Sequence, residues 1–205
     1  SGSGNELQIF RSTNNGVSFL PPVNGTPGFT TGSHDKEWIA VDNFVGTGNG
    51  NVYMAWRNFG TPNTGIVFTR STNDGVTWIP STGTLIAGPG SYNVQGPDVQ
   101  VGPDHSVYVI WYDQSGGPTT FPTLRVRRST DQGVTWGAPV TIATLHTRAV
   151  NGDLGLGFRT NTFPHAAVNQ VSGNLYVTFA DSVGSGDRCS AYFTSSTNSG
   201  ATWGA

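Results

Sequence analysis

Nine acidic, basic and aromatic residues stand where the predicted strands of this chain begin or end, and their types could bind a polar ligand or move a proton. A carboxyl group can act as a general acid or base, and we assign that role to Asp35. The alternative is that all nine are the ordinary polar ends of strands. The eight candidate ligand-binding residues are Lys36, Glu37, Arg57, Asp98, Tyr112, Asp113, His165 and Asp181.

Metal binding has less support than ligand binding. Asp98 with Asp104, or Asp181 with Asp187, could supply oxygen ligands for Ca²⁺, but neither pair has a recognised loop spacing. The 4 histidines are dispersed along the chain, so zinc gains no support. We therefore predict no metal and no cofactor, with calcium as the alternative.

An eight-residue motif occurs four times and marks the elements that must position these side chains. The copies begin at Ser12, Ser71, Ser129 and Ser196, so successive starts are 59, 58 and 67 residues apart. A repeat at a long period is typical of repeat architectures. In each copy we expect Asn or Asp to bind backbone N–H groups two residues on, Gly to supply a positive φ, and the final aromatic residue to cover apolar surface between units. The motif residues are Asn14, Gly16, Phe19, Asn73, Gly75, Trp78, Asp131, Gly133, Trp136, Asn198, Gly200 and Trp203.

Short strands are predicted between the motifs. Residues 38–41 are apolar throughout, which favours a strand buried on both faces, and strands at 51–56, 65–70 and 78–87 complete that unit. The whole chain shows no sustained helical period and is predicted to hold about thirteen strands, in groups of two, four, four and three. Four-stranded antiparallel units at this spacing are blades of a β-propeller.

The predicted fold is therefore all-β, a partial β-propeller of about three to three and a half blades in one domain at residues 1–205. The first group consists of strands at residues 5–10 and 17–23. The predicted divisions are a partial blade at 1–33, blades at 34–88 and 89–145, and an incomplete blade at 146–205.

Antiparallel order decides which loops share a face of the propeller. The motif turns all lie on one face, and the starts of first strands and the ends of second strands lie on the opposite face. The nine candidate residues belong to that second face. Loops held on a rigid scaffold commonly carry binding groups.

The motif resembles the Asp-box, the bacterial neuraminidase repeat of the sialidase superfamily, and the resemblance covers essentially the whole chain. It implies a sialidase-like propeller with its substrate on the face opposite the motif turns, where Arg57, Tyr112 and His165 could contact a sugar. Three copies carry Asn where the family prefers Asp, which hardly affects the turn. The Arg-Ile-Pro sequence of the family is missing, and Arg57, Arg159 and Arg188 are only scattered candidates for its arginine clamp.

Composition limits the possible partners. The formal net charge is −2 and the basic residues do not form a large patch, which argues against nucleic acid. No segment approaches the roughly 20 apolar residues that a membrane span requires. Cys189 is the only cysteine, which excludes a disulfide within the chain. We expect an extracellular or cell-surface location.

Two functions compete. The first is a module that acts through its surfaces, by binding a glycan or by self-assembly in which another chain completes open blade edges, and that is not catalytic alone. Open edges invite such pairing, so we expect a homo-oligomer or the remainder of a longer chain. The alternative is an exo-sialidase or related glycoside hydrolase, of which this chain would be about half the propeller.

Overall fold

The computed structural model describes residues 6–88, 93–117, 119–146, 160–182 and 189–204. Within these ranges the chain forms thirteen strands. The same ranges contain no helix with the length and apolar character that a membrane crossing requires. The strands are β1 (Gln8–Ile9), β2 (Val23–Asn24), β3 (His34–Val41), β4 (Val52–Asn58), β5 (Gly65–Ser71), β6 (Ile79–Ala87), β7 (Val94–Val101), β8 (Val107–Asp113), β9 (Thr123–Ser129), β10 (Val140–Thr144), β11 (His165–Val168), β12 (Leu175–Asp181) and β13 (Ser190–Ser196).

The strands form four antiparallel sheets, each in chain order. β1 and β2 make a two-stranded sheet, β3 to β6 and β7 to β10 make four-stranded sheets, and β11 to β13 make a three-stranded sheet. The innermost strands β3, β7 and β11 contact one another in sequence. This arrangement confirms the predicted partial β-propeller.

Apolar side chains fill the spaces between successive sheets. Tyr53 and Phe68 of the second sheet pack in one cluster with Val99 and Val109 of the third sheet. A second cluster joins the third sheet to Leu175 and neighbouring residues of the fourth. Alternation along each strand explains this packing, because successive side chains point to the two opposite faces.

The four motif turns share one hydrogen-bond network. In the third copy, the Gly133 N–H donates to Ser129 Oγ at 2.8 Å, the Ser129 hydroxyl donates to Asp131 Oδ1 at 2.7 Å, and the Thr135 N–H donates to the same oxygen at 2.8 Å. The motif carboxylate or amide therefore binds the N–H four residues on, not two as expected. The glycine and the residue before it both have positive φ, +83° and +60° for Gly133 and Gln132.

Asn and Asp are equivalent in this turn because one outer hydrogen bond can reverse. The Thr135 hydroxyl donates to Asp131, whereas in the second copy the Asn73 amide donates to the Thr77 hydroxyl at 2.9 Å. Both side chains accept the backbone N–H through their Oδ1 atom. The expectation that Asn hardly changes the turn is confirmed.

Each motif glycine after the first lies against the preceding sheet. A methyl group built on Gly133 would come within 2.6 Å of the Phe68 ring, and one on Gly200 within 3.7 Å of Val126. One on Gly75 would lie 3.8 Å from Ile9. Ile9, Phe68 and Val126 all stand three residues before the first serine of a motif. The same position in one sheet therefore supports the turn of the next.

The aromatic residues that end the motifs follow the same rule, with one exception. Trp78 is buried, Trp136 lies edge-on to Phe68 with ring centroids 4.8 Å apart, and Trp203 packs against the cluster between the third and fourth sheets. Phe19 was expected to cover apolar surface too, but it is 61% exposed. No sheet precedes this copy within the described residues, so Phe19 has no such surface to cover there.

Two other strand predictions were wrong in detail. The strand expected at residues 17–23 is reduced to Val23–Asn24, because Pro21 and Pro22 cannot donate hydrogen bonds to a ladder. Residues 38–41 form a strand but are not buried on both faces, since Trp38, Ile39 and Val41 are exposed. β3 is an innermost strand, and its apolar side chains border open space.

Candidate functional site

A cleft of about 540 Å³ lies where the innermost strands of three sheets meet. β3 and β7 form one side of it, and the segment at residues 161–165 with parts of β12 and β13 forms the other. The lining residues that the argument uses are Lys36, Glu37, Trp38, Asp98, Phe163 and His165.

Three of these residues occupy the same register position in consecutive sheets. Trp38 faces Ala55, Asp98 faces Ile110 and His165 faces Thr178, and each of these partners is the fourth residue of its second strand. An indole, a carboxyl group and an imidazole are thus brought to one level of the cleft. The Trp38 and His165 rings lie edge to face, with centroids 5.9 Å apart.

Asp98 is the most enclosed polar group of the cleft, with 2% exposure. Its Oδ1 atom accepts a hydrogen bond from Gln100 Nε2 at 2.8 Å, and its Oδ2 atom accepts one from the Ala166 N–H at 2.9 Å. Burial raises the pKa of the carboxyl group, while these two hydrogen bonds and nearby His165 act in the opposite direction. Asp98 therefore ties β7 to β11 and also favours the protonated form that a general acid needs.

A bulge repeated in β3 and β7 shapes one wall of the cleft. Both strands shift register just before Trp38 and Asp98, and Lys36 and Gly96 take left-handed φ values of +55° and +56° there. The Lys36 ammonium group lies 5.6 Å from the centroid of the Phe163 ring. Phe163 also covers Gly96, where a β-carbon would meet the ring within 2.8 Å. Glycine thus allows the close approach of Phe163.

Of the nine residues predicted from the sequence, Lys36, Glu37, Asp98 and His165 line the cleft. Asp35, the predicted acid or base, lies opposite Arg57 in the β3–β4 ladder and is not part of this lining. Arg57 is buried and stacks on Phe59, its guanidinium carbon 4.5 Å from the ring centroid, and burial lowers its pKa.

The other three predicted residues are buried at the ends of second strands. Tyr112 donates from its hydroxyl to Gln114 at 3.0 Å. Asp113 accepts hydrogen bonds from the Trp111 indole at 3.0 Å and the Ser115 N–H at 2.9 Å. These contacts hold the loop that follows β8, and a direct role of either residue in ligand binding stays a prediction.

Asp181 plays a corresponding part after β12. Its carboxylate accepts the backbone N–H of His146 at 2.9 Å and that of Ser182 at 2.9 Å, and contacts the His146 ring at 3.0 Å. It therefore joins the end of the third sheet to the fourth. Its predicted ligand contact is likewise still a prediction.

The calcium alternative gains no geometric support from the described residues. Asp104 binds Arg128 at 2.6 Å and Ser106 at 2.9 Å in the turn after β7, whereas Asp98 has its own partners within the strand. No group of three or more His, Cys, Asp and Glu side chains suited to a metal occurs in the described ranges. Asp187, Arg159 and Arg188 lie outside those ranges.

Trp38 and Phe163 line the cleft but were not predicted as site residues. Trp38 was assigned to a buried strand, although it is 42% exposed. One signal was available: Trp38, Asp98 and His165 stand 33, 31 and 31 residues before the first serine of the next motif, from the differences 71−38, 129−98 and 196−165. Counting back from each motif would have placed the three at corresponding positions.

A smaller cleft of about 240 Å³ adjoins the first. Glu37 and Trp38 line both of them, and Phe10 of the first sheet borders only the smaller one. The indole of Trp38 therefore stands between two concave surfaces.

No protein-family model and no curated protein matches the chain. Solved structures do match its fold. A Hadza microbial sialidase matches with a TM-score of 0.61 and 18% identity, over 97% of this chain and 39% of its own. An α-L-arabinofuranosidase from Fusarium graminearum matches with a TM-score of 0.65 and 15% identity, over 94% and 55%. The endo-arabinase from Bacteroides thetaiotaomicron matches with a TM-score of 0.57 and 12% identity, over 96% and 69%.

These likenesses show the fold. The chain has the β-propeller architecture found in several enzymes named for glycoside hydrolysis, and sialidases are not singled out among them. The chain spans 39% of the sialidase and 55% of the arabinofuranosidase. The activities in these names belong to those proteins.

Proposed function

We propose that this chain forms the carbohydrate-binding cleft of a β-propeller that acts on glycosides. The observation that carries the proposal is the convergence of Trp38, Asp98 and His165 from three successive innermost strands into one cleft. Ligand sites combine apolar walls with a few convergent polar groups, and this cleft has both. The fold neighbours named for hydrolysis of sialosides and arabinosides support the same substrate class.

The chemistry of the lining suits a sugar. An exposed indole offers an apolar face for the C–H groups of a pyranose or furanose ring. Glu37 can accept hydrogen bonds from sugar hydroxyl groups, and Lys36 and His165 can donate them. Since Lys36 and Glu37 carry opposite charges beside each other, the lining is not restricted to charged sugars. We therefore favour neutral as well as acidic glycosides as ligands.

Hydrolysis is the further step that two carboxyl groups of the lining favour. Glycoside hydrolases generally pair a protonated carboxylic acid with a second carboxylate across the scissile bond. Burial raises the pKa of Asp98, which suits the acid, and Glu37 is the second carboxyl group in the lining. The non-catalytic alternative also has an observation behind it, because both Asp98 oxygens already hold structural hydrogen bonds.

Calorimetric titration with sialyllactose and with arabino-oligosaccharides tests the binding proposal. We expect Trp38→Ala to weaken binding at least about tenfold, which corresponds to a stacking loss of about 1.4 kcal/mol. Phe121→Ala removes a comparably exposed aromatic ring that does not line the cleft, and it should bind as the wild type does. Equal affinities for all three proteins would show that sugars bind elsewhere.

Release of reducing sugar from the same compounds tests hydrolysis. We expect Glu37→Gln and Asp98→Asn each to lower kcat about 100-fold or more, as loss of a general acid or base does. Asp35→Asn serves as the comparison, and a loss confined to that variant would return the acid–base role to Asp35. Binding without turnover by the wild type would leave a glycan-binding module, the first function considered from the sequence.

An extracellular or cell-surface location belongs to this proposal. Polymeric glycans are encountered outside the cell membrane, and the fold neighbours are named for action on such compounds. Fractionation of cells that express the protein would test it. Recovery in the cytosol alone would contradict this part of the proposal.

A further inference from the structure

One contact between successive sheets is made three times in this chain. The residue three positions before a motif supports the glycine of the next motif, and an aromatic residue completes the contact in the best-defined case. There, Phe68 stacks on Tyr53 of the neighbouring strand, with ring centroids 6.0 Å apart and an interplanar angle of 21°. Gly133 and Trp136 of the next motif cover this pair, and Phe68 has 0% exposure. We call such a pair of side chains the seat.

The fourth sheet contains a seat that no described residue covers in this way. Phe193 stands three residues before the motif that begins at Ser196, and it stacks on Tyr176 with centroids 5.9 Å apart and an angle of 22°. Its register partner is Thr178, the fourth residue of β12, just as the partner of Phe68 is the fourth residue of β4. The geometry of the two pairs is the same, yet Phe193 is 57% exposed.

The first motif presents the other half of this contact. A methyl group built on Gly16 would have no heavy atom within 4 Å, whereas those on Gly75, Gly133 and Gly200 would touch the preceding sheet. Phe19 and Val17 of the same turn are exposed apolar side chains. The hydrogen bonds of this turn are complete, since Ser12 and Asn14 bind each other and the backbone as in the other copies. It is therefore a formed turn with a free apolar tip.

We propose that the first motif turn of one copy of this chain docks on the Tyr176–Phe193 seat of a second copy. The occupant is argued from the chain itself: the internal contact pairs a motif turn with a stacked aromatic seat, and this chain exposes one unused example of each. The two surfaces differ, so the contact is head-to-tail and produces a ring or an open filament according to the rotation between copies. The inference does not depend on carbohydrate binding.

Docking at this seat would also enclose the cleft. Thr178, Ala180 and Ala191 line the cleft and lie on the same outward face of the fourth sheet as Phe193, because side chains two residues apart share a face and register partners do so as well. A sheet placed against that face would become the missing wall. The assembled protein would therefore hold a ligand in a more closed cleft than one copy does.

Two single substitutions make the proposal testable. Phe193→Asp places a charge on the seat, and Phe19→Asp places one on the turn; both positions are exposed, so each variant should retain its fold. Sedimentation velocity over a concentration series should show association of the wild type. Each variant should associate at least about 30-fold more weakly, the change that corresponds to loss of an interface hot spot of about 2 kcal/mol. Val45→Asp, an exposed apolar residue elsewhere, should associate like the wild type.

Mixing the two variants gives the decisive result. The Phe193→Asp protein keeps an intact turn and the Phe19→Asp protein keeps an intact seat, so an equimolar mixture should form a dimer that cannot extend further. A wild type that remains monomeric throughout the series would overturn the proposal. Association of either variant at wild-type strength, or a mixture in which no dimer forms, would overturn it as well.

Discussion

Replacement of Gly133 by alanine tests how much of the stability of this fold comes from contact between a motif turn and the preceding sheet. The new methyl group would meet the buried Phe68 ring at 2.6 Å. Gly133 also has φ +83°, where an L-residue is strained. Gly16→Ala provides the matched control, because Gly16 has φ +82° in the same kind of turn and open space around it.

The magnitudes separate the two effects. The left-handed backbone costs alanine about 1–2 kcal/mol at either site. Inserting a methyl group into a packed contact costs about 1–3 kcal/mol more, and only Gly133 has that contact. We therefore expect a destabilisation of about 2–5 kcal/mol for Gly133→Ala and about 1–2 kcal/mol for Gly16→Ala. The difference of about 1–3 kcal/mol measures the sheet-to-turn contact alone.

Urea unfolding followed by tryptophan fluorescence measures both free energies of unfolding. In thermal unfolding, the same difference corresponds to a melting temperature roughly 2–12 °C lower for Gly133→Ala than for Gly16→Ala, at about 2–4 °C per kcal/mol for a chain of this size. Equal losses in the two variants would refute the reasoning, since they would show that backbone conformation alone requires glycine. A third variant, Gly200→Ala, should fall between them because its neighbours lie at 3.3 Å or farther.

Two further predictions concern carboxylates of the scaffold. Hydrogen bonds from the Thr135 side chain and backbone lower the pKa of Asp131 to about 2, so its contribution to stability is present above about pH 4, where the unfolded carboxyl group is ionised, and is lost as the pH falls towards 2. Asp131→Asn, which supplies the amide found in the other copies, should flatten the free energy of unfolding across that window, and an unchanged pH slope would contradict this account. Asp181→Ala should cost about 3 kcal/mol or more because it leaves the His146 and Ser182 N–H groups without their charged acceptor. Asp104→Ala, which removes a half-exposed ion pair with Arg128, should cost about 1 kcal/mol or less in the same urea assay.

The motif turns could be predicted because their interactions are local. Ser129, Asp131 and Thr135 satisfy one another within a few residues of the chain, so the residue types at fixed spacing suffice to specify the turn. Their long period then predicted four-stranded sheets and a partial propeller, as the structure shows. The exposure of Phe19 was not predictable in this way, since it depends on a neighbouring sheet.

The candidate site was predicted only in part. Antiparallel order placed Lys36, Glu37, Asp98 and His165 on one face, and the structure brings these four together in the cleft. The same reasoning did not separate them from Tyr112, whose side chain is buried. Strand polarity determines which end of a sheet a residue occupies, but not whether its side chain points into a cleft or into the packing between sheets.

By itself, the sequence of this protein determined the turns, the strand order and the face on which polar residues gather, because hydrogen bonds within a turn and alternation along a strand act over short distances. Only the tertiary structure decided that Trp38, Asp98 and His165 meet. Each is about 60 residues from the next, from the differences 98−38 and 165−98. Bulges in β3 and β7 and the packing of whole sheets bring them to one level, and both depend on contacts that no single stretch of the chain contains.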